Sequence, residues 1–174
     1  MNDDTVKRTI RVEKSVNAAL VAQAALESKD PSEYITDLLS RHAIDLGVLA
    51  AADAKRVENE IEIKRRARDW AREICAKQFD PDVTLKVFQE FRAEPEFNAM
   101  YRAAIGGDPM TRGNHTQARI NRSLGSIIKR AVNGEAETTT SGHRINATVS
   151  DEYIRSYTPL RPATENSMNK GGRK

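Results

Sequence analysis

Aromatic residues make up only 5% of this 174-residue chain, and Cys75 is its single cysteine. Long apolar runs are missing too, so we expect no transmembrane helix, which needs about 20 consecutive apolar residues. One cysteine cannot form an internal disulfide, and this favours a reducing compartment such as the bacterial cytoplasm. The first residues, MNDDTVKR, lack the apolar stretch of a signal peptide.

Recognisable catalytic motifs are also missing. The three histidines, His42, His115 and His143, are scattered, with no cysteine or carboxylate at metal-ligand spacing. Neither the G-x-x-x-x-G-K-[ST] nor the G-x-G-x-x-G phosphate loop occurs. We therefore expect no enzyme activity, no cofactor and no metal.

The charge distribution says more than the net charge of +3 and the pI near 9.1. Residues 1–47 carry six Lys/Arg against eight Asp/Glu, so this part of the chain is net acidic. Its positive charge is concentrated near the start, at Lys7, Arg8, Arg11 and Lys14. Any nucleic-acid function must therefore depend on where these charges lie, because bulk charge does not favour it.

Residues 5–13, TVKRTIRVE, alternate with the period of a β-strand and are rich in Thr, Val and Ile. One face carries Arg8, Ile10 and Val12, and the other carries Lys7, Thr9 and Arg11. A lone strand is not stable, and the next segment is helical. The simplest partner is the same strand of a second copy of the chain.

Two helices are predicted next. Ser15 is a candidate cap for the first, in which Val16, Leu20 and Ala24 recur at helical spacing before the stop at Asp30-Pro31. The second begins with Asp30 as N-cap, Pro31 at the first helical position and Glu33 at the third, and Gly47 marks its end. Its apolar residues are Tyr34, Ile35, Leu38, Leu39 and Ala43.

Strand, helix and capped helix in this order resemble the ribbon-helix-helix family of DNA-binding proteins, which includes the Arc, methionine and CopG-type repressors. The resemblance covers residues 5–46 and is carried by RTIRVEKSV before the first helix and PSEYI at the start of the second. It implies a dimer that inserts a two-stranded β-ribbon into the major groove of double-stranded DNA. The positions that match the base-reading residues of the family are Lys7, Thr9 and Arg11.

The physical chemistry agrees with this assignment. The major groove admits a two-stranded ribbon, Arg and Lys bond guanine, and Thr contacts bases or a thymine methyl. The family also binds a backbone phosphate at the N-terminus of the second helix, which here implies the N–H groups of Ser32 and Glu33. Arg8 departs from an apolar inward position, and we assign it to a phosphate at the end of the ribbon.

The rest of the chain is predicted to be mainly helical. Residues 48–78 form a long connecting helix, and residues 79–160 form a small helical domain with a β-hairpin around Ser141-Gly142. The helix HTQARINRSLGSIIKRAV contains Gly125, which suggests a close contact with another helix. Residues 161–174 are polar, and we expect them to be a disordered tail.

This C-terminal part has two interpretations. A helix followed by a hairpin resembles a winged-helix outline and offers a second DNA-facing set: Arg119, Asn121, Arg122, Lys129, Arg130 and Arg144. The alternative is a domain for oligomerisation or for binding a protein partner.

The leading hypothesis for the whole chain is a dimeric transcriptional regulator, most simply a repressor, in a prokaryotic cytoplasm and associated with the nucleoid. Three alternatives remain open. The first is an accessory factor in the conjugative transfer or partition of a plasmid or in phage functions, and the second is an antitoxin whose C-terminal domain binds a partner. The third places an enzyme or an RNA-binding domain in the C-terminal half.

Overall fold

The computed structural model describes Val6 and residues 8–163, and this part of the chain is mainly helical, as predicted. The helices are α1 (Lys14–Leu26), α2 (Pro31–Asp45), α3 (Ala51–Ile74), α4 (Val83–Ala93), α5 (Pro95–Ile105) and α6 (His115–Ala131). Four short strands follow: β1 (Gly134–Ala136), β2 (Ala147–Thr148), β3 (Ser156–Tyr157) and β4 (Leu160–Pro162). Position 7 and residues 1–5 and 164–174 lie outside the described residues.

The boundaries of the first two helices partly follow the predicted capping chemistry. α1 starts directly after Glu13, which makes no side-chain cap, so the expected cap at Ser15 is wrong. The cap of α2 is confirmed: the Asp30 carboxylate accepts a backbone N–H at 2.9 Å, and Pro31 is the first helical residue. Gly47 follows α2 with a φ of 64°, a left-handed conformation that suits glycine at a helix end.

The apolar core lies among α3, α4, α5 and α6. The predicted connecting helix is α3, and its second half is buried through Ile63, Ala67, Trp70 and Ala71. The residues that pack around it include Val87, Phe88, Phe91, Tyr101, Ile120 and Leu124. The second half of α3 is therefore part of the C-terminal core and more than a connection.

The hairpin prediction is correct at the turn but incomplete along the strands. The Thr139 N–H bonds the His143 carbonyl at 2.8 Å, and Thr138 pairs with Arg144 across the turn. Beyond the turn, β1 pairs antiparallel with β4, and β2 pairs antiparallel with β3. Because Arg161 lies in β4 and the Ala163 N–H bonds Asn133 at 3.0 Å, the predicted disordered tail does not start at residue 161.

The predicted close helix contact at Gly125 is wrong. A Cβ atom built at Gly125 meets nothing within 4 Å, so no neighbouring helix requires glycine there. The residue instead borders an open groove beside α6.

Replacing Gly125 by alanine is therefore expected to stabilise the protein by about 0.5–1 kcal/mol, because alanine favours a helix interior and finds free space. Chemical unfolding of the two proteins measures this difference. Gly106→Ala is a matched control, since Gly106 ends α5 with a φ of 71° and alanine there is strained. A Gly125→Ala protein that is less stable than the parent contradicts the assignment of free space.

Candidate nucleic-acid interface

Val6 and residues 8–13, the described residues before α1, are exposed and pair with no other described strand of the same chain. Residues 8–13 form no helix or strand, and Glu13 has the extended dihedrals φ −61° and ψ 149°. Thr9 and Arg11 of the candidate base-reading set are exposed, as is Arg8, whereas Lys7 lies outside the described residues. Within the described residues, the Glu13 carbonyl accepts the Asn17 N–H at 2.9 Å, and residues 8–12 form no strand pair.

The apolar face of the same segment is exposed too. Ile10 is 60% exposed and Val12 is 40% exposed, although both side chains are apolar. Exposed apolar side chains on an amphipathic extended segment indicate a surface that packs against another molecule.

The two following helices, α1 and α2, also leave apolar side chains exposed to solvent. Among the described residues, the exposed large apolar side chains all lie between Val6 and Val48, with Met110 as the exception. Within that range, Ala24 is the only buried apolar residue that the structure describes. The side chains on α1 and α2 that remain exposed are Val16, Val21, Leu26, Leu38 and Leu39. The N-terminal part therefore has no apolar core of its own.

The N-terminus of α2 is already engaged within the chain. The Ser32 N–H donates to the Asp30 carboxylate at 2.9 Å. The Glu33 carboxylate accepts a hydrogen bond from Ser123 and lies 3.9 Å from the Arg130 guanidinium. These contacts place the helix end against α6, so a phosphate at Ser32 and Glu33 would have to compete with them.

A buried ion network connects α2, α3 and α6. Lys64 lies 3.2 Å from Asp37 and 3.0 Å from Glu60, and Arg119 bonds both oxygens of Glu60 at 2.8 and 2.7 Å. Lys29 reaches Asp37 at 2.9 Å. The polar side of α2 is therefore held against the C-terminal core, and its apolar side faces outward.

Protonation in this network follows from the partners. Burial favours a neutral carboxyl, but the Arg119 hydrogen bond and the charges of Lys64 and Arg119 lower the pKa of Glu60 from 4.5 to about 2. Burial likewise disfavours a charged amine, but the charges of Glu60 and Asp37 raise the pKa of Lys64. Both side chains are charged at neutral pH.

Sequence reasoning missed this network. A lysine in a charged helix is typical of an exposed face, whereas the Lys64 side chain is buried among carboxylates. The spacing of Glu60 and Lys64, four residues apart on one helix, is the signal from which part of it could have been found.

The structure divides the second predicted DNA-facing set. Arg119 bonds Glu60, and Arg130 lies 3.6 Å from Asp30. Asn121 accepts a hydrogen bond from the Tyr101 hydroxyl at 2.6 Å. The members that line one groove beside α6, with a volume of about 420 Å³, are Asn121, Arg122, Lys129 and Arg144.

Neither a metal site nor a membrane span stands out in the described part of the chain. Residues 6 and 8–163 contain no group of three or more His, Cys, Asp or Glu that could hold a metal ion. Within the same residues, every helix is too short or too polar to cross a membrane.

Comparison with known proteins adds no relative. The chain matches no protein-family model, and searches of curated proteins and of solved structures find no significant match.

Proposed function

We propose that the protein is a dimeric, sequence-specific DNA-binding protein that acts as a transcriptional regulator. The observation that carries this proposal is the exposed apolar surface between Val6 and Val48, next to an extended segment with a polar outer face. A second copy of the chain supplies a partner for both features at once.

Pairing of two copies explains the exposed segment. Antiparallel pairing of residues 5–13 of each copy would satisfy the backbone hydrogen bonds of both segments. Ile10 and Val12 of both copies would then turn to α1 and α2 and bury their side chains there. Each buried side chain of this size contributes about 1.5–3 kcal/mol.

The opposite face of the paired segments would meet DNA. Thr9 and Arg11 are exposed on this face, and twofold symmetry doubles them, with Lys7 as the third expected member. An arginine bonds the O6 and N7 atoms of guanine, and a threonine reaches a base edge or a methyl group. A symmetric protein of this kind recognises an inverted repeat.

The position of α2 leaves its apolar side free for the proposed partner. Its polar side is held by Lys64 and Arg130, so its apolar residues are turned away from the C-terminal core. Leu38 and Leu39 lie within α2 on that outward side and are 46% and 58% exposed. The ion network therefore orients α2 so that the proposed dimer surface remains exposed to solvent in the single chain.

Selection from a random-sequence DNA pool with the purified full-length protein tests the proposed function. The expected result is enrichment of one inverted repeat, with binding that weakens steeply as salt is raised. If repeated rounds enrich no sequence, the proposal is refuted.

Ile10→Asp is expected to weaken dimerisation about 1,000-fold, because two apolar side chains per dimer are lost from the interface, at roughly 2 kcal/mol each. Analytical ultracentrifugation over a concentration series measures the change. Thr9→Asp is the matched control, since its side chain lies on the opposite face. If both variants dimerise like the parent, or both dissociate alike, the proposed pairing is incorrect.

A further inference from the structure

The groove beside α6 gathers positive charge without an acidic partner. Its lining includes Arg122, Lys129 and Arg144 and no Asp or Glu. Within the part of the chain that the structure describes, none of these three side chains forms an ion pair. Cations elsewhere on the same helix differ, since Arg119 and Arg130 both meet carboxylates.

Residues with hydroxyl groups and buried apolar residues complete the groove. Ser126, Ser156 and Thr158 line it with the cations, and so do the buried residues Ile154 and Leu160. The Thr158 hydroxyl donates to Asn146 at 2.9 Å. Asp82 accepts a hydrogen bond from the hydroxyl of the lining residue Tyr157 at 2.6 Å. That hydrogen bond holds the Asp82 carboxylate at Tyr157, and Asp82 is not part of the lining.

Gly125 borders free space in the groove. It lines the groove in the middle of α6, and a Cβ atom there would meet nothing within 4 Å. Glycine inside a helix is unfavourable, and helix packing does not require it here. A side chain much larger than alanine at this position would extend into the groove.

Charge and size together indicate the class of ligand. Two guanidinium groups and one ammonium carry three positive charges, which suit the charge of a phosphate group better than that of a single carboxylate. A volume of about 420 Å³ lies within the range of small-molecule sites. A neighbouring cleft of about 630 Å³ is less suited to an anionic ligand, because the acids Asp151 and Glu152 line it together with Arg112 and Arg155.

We propose that this groove is a phosphate-binding site, formed by Arg122, Lys129 and Arg144 around Gly125, that takes a phosphorylated ligand. The phosphate comes either from a small molecule of nucleotide size or from the backbone of DNA. The site is independent of the N-terminal segment, so it does not depend on the proposed function.

Calorimetric titration of the full-length protein tests the site, with inorganic pyrophosphate and metal-free ATP as the small probes. A short DNA duplex of arbitrary sequence is the third probe. The double variant Lys129→Gln/Arg144→Gln is expected to weaken binding about ten-fold or more, because each lost contact is a charge-assisted hydrogen bond. Lys77→Gln is the matched control, since Lys77 is exposed and lies outside the groove.

Gly125→Leu is a second test that leaves the charges unchanged. Its side chain fills the groove, and thermal unfolding checks that the variant is folded. We expect it to lose probe binding while Gly125→Ala retains most of it.

The outcomes separate the two sources of phosphate. Groove-dependent binding of pyrophosphate or ATP assigns a small ligand, and groove-dependent binding of the duplex alone assigns a DNA phosphate. If no probe binds, or if Lys77→Gln weakens binding as much as the double variant, the phosphate site is refuted. Arg11→Ala should leave pyrophosphate binding unchanged, so failure of the DNA proposal is distinguishable from failure of this one.

Discussion

Arg11→Ala is expected to reduce affinity for the selected DNA site by roughly 30-fold to 20,000-fold, since each arginine–guanine pair contributes about 1–3 kcal/mol and a dimer makes two. Fluorescence anisotropy titration at fixed salt measures the loss. The same variant should lose much less affinity for random-sequence DNA, because only a phosphate attraction would be affected there.

Arg8→Ala is the matched control for this substitution. It removes the same charge from the same exposed segment but from the opposite face. A phosphate contact by Arg8 would affect all sequences alike and would reduce the slope of binding against salt. If Arg11→Ala and Arg8→Ala weaken specific and random DNA equally, Arg11 does not read a base.

Glu60→Gln is expected to destabilise the protein by about 3–5 kcal/mol, because it leaves Lys64 and Arg119 without their shared carboxylate in a buried site. Chemical unfolding measures the loss. Glu58→Gln is the matched control on the same helix, since the Glu58 pair with Lys55 is exposed and such pairs contribute only about 0–1 kcal/mol. Equal effects of the two substitutions would contradict a structural role for the network.

Acid should reveal the same network. Glu60 has a folded-state pKa of about 2 against an ordinary value of 4.5, so its ionised form stabilises the folded protein. That stabilisation, about 3 kcal/mol, is complete above pH 4.5 and is lost as the pH falls from there towards 2. Unfolding series between these pH values should show a shallower decline for Glu60→Gln than for the parent. Parallel curves would contradict the lowered pKa.

Local chemistry made parts of the fold predictable. The Asp30 side chain caps α2 and Pro31 suits its first position, while Gly47 adopts the left-handed conformation that ends it. Each of these effects depends on residues adjacent in the sequence, so the sequence alone suffices to predict them. The turn at Gly142 is local in the same sense, with a φ of 82°. Ser15 shows the limit, because α1 starts at Lys14 after the uncapped Glu13, and local chemistry fixes a helix start only to within one or two residues.

Long-range contacts could not be predicted in this way. The groups that meet Glu60 and Lys64 come from α2 and α6, which are distant along the chain, so the sequence shows only the pair within α3. That pair alone is typical of an exposed helix surface, and the burial of Lys64 follows only from its neighbours on the other helices. Gly125 was similarly misinterpreted, because a glycine in a helix fits a close contact and an open groove equally well until the neighbours are known.

On the N-terminal side, the alternation of residues 5–13 predicts two faces, and the structure leaves Thr9 and Arg11 exposed. Their contact with DNA stays a prediction. For α6, the sequence identified a basic helix but could not separate the arginines bound to carboxylates, such as Arg119, from those that line the groove, such as Arg122.

Native mass spectrometry of the full-length protein with its selected DNA duplex tests the central claim most directly, because it counts the chains on one site. The expected result is two chains per duplex, with the complex lost for Ile10→Asp. One chain per duplex, or a complex that Ile10→Asp forms as well as the parent, would contradict a ribbon made from two copies of the chain.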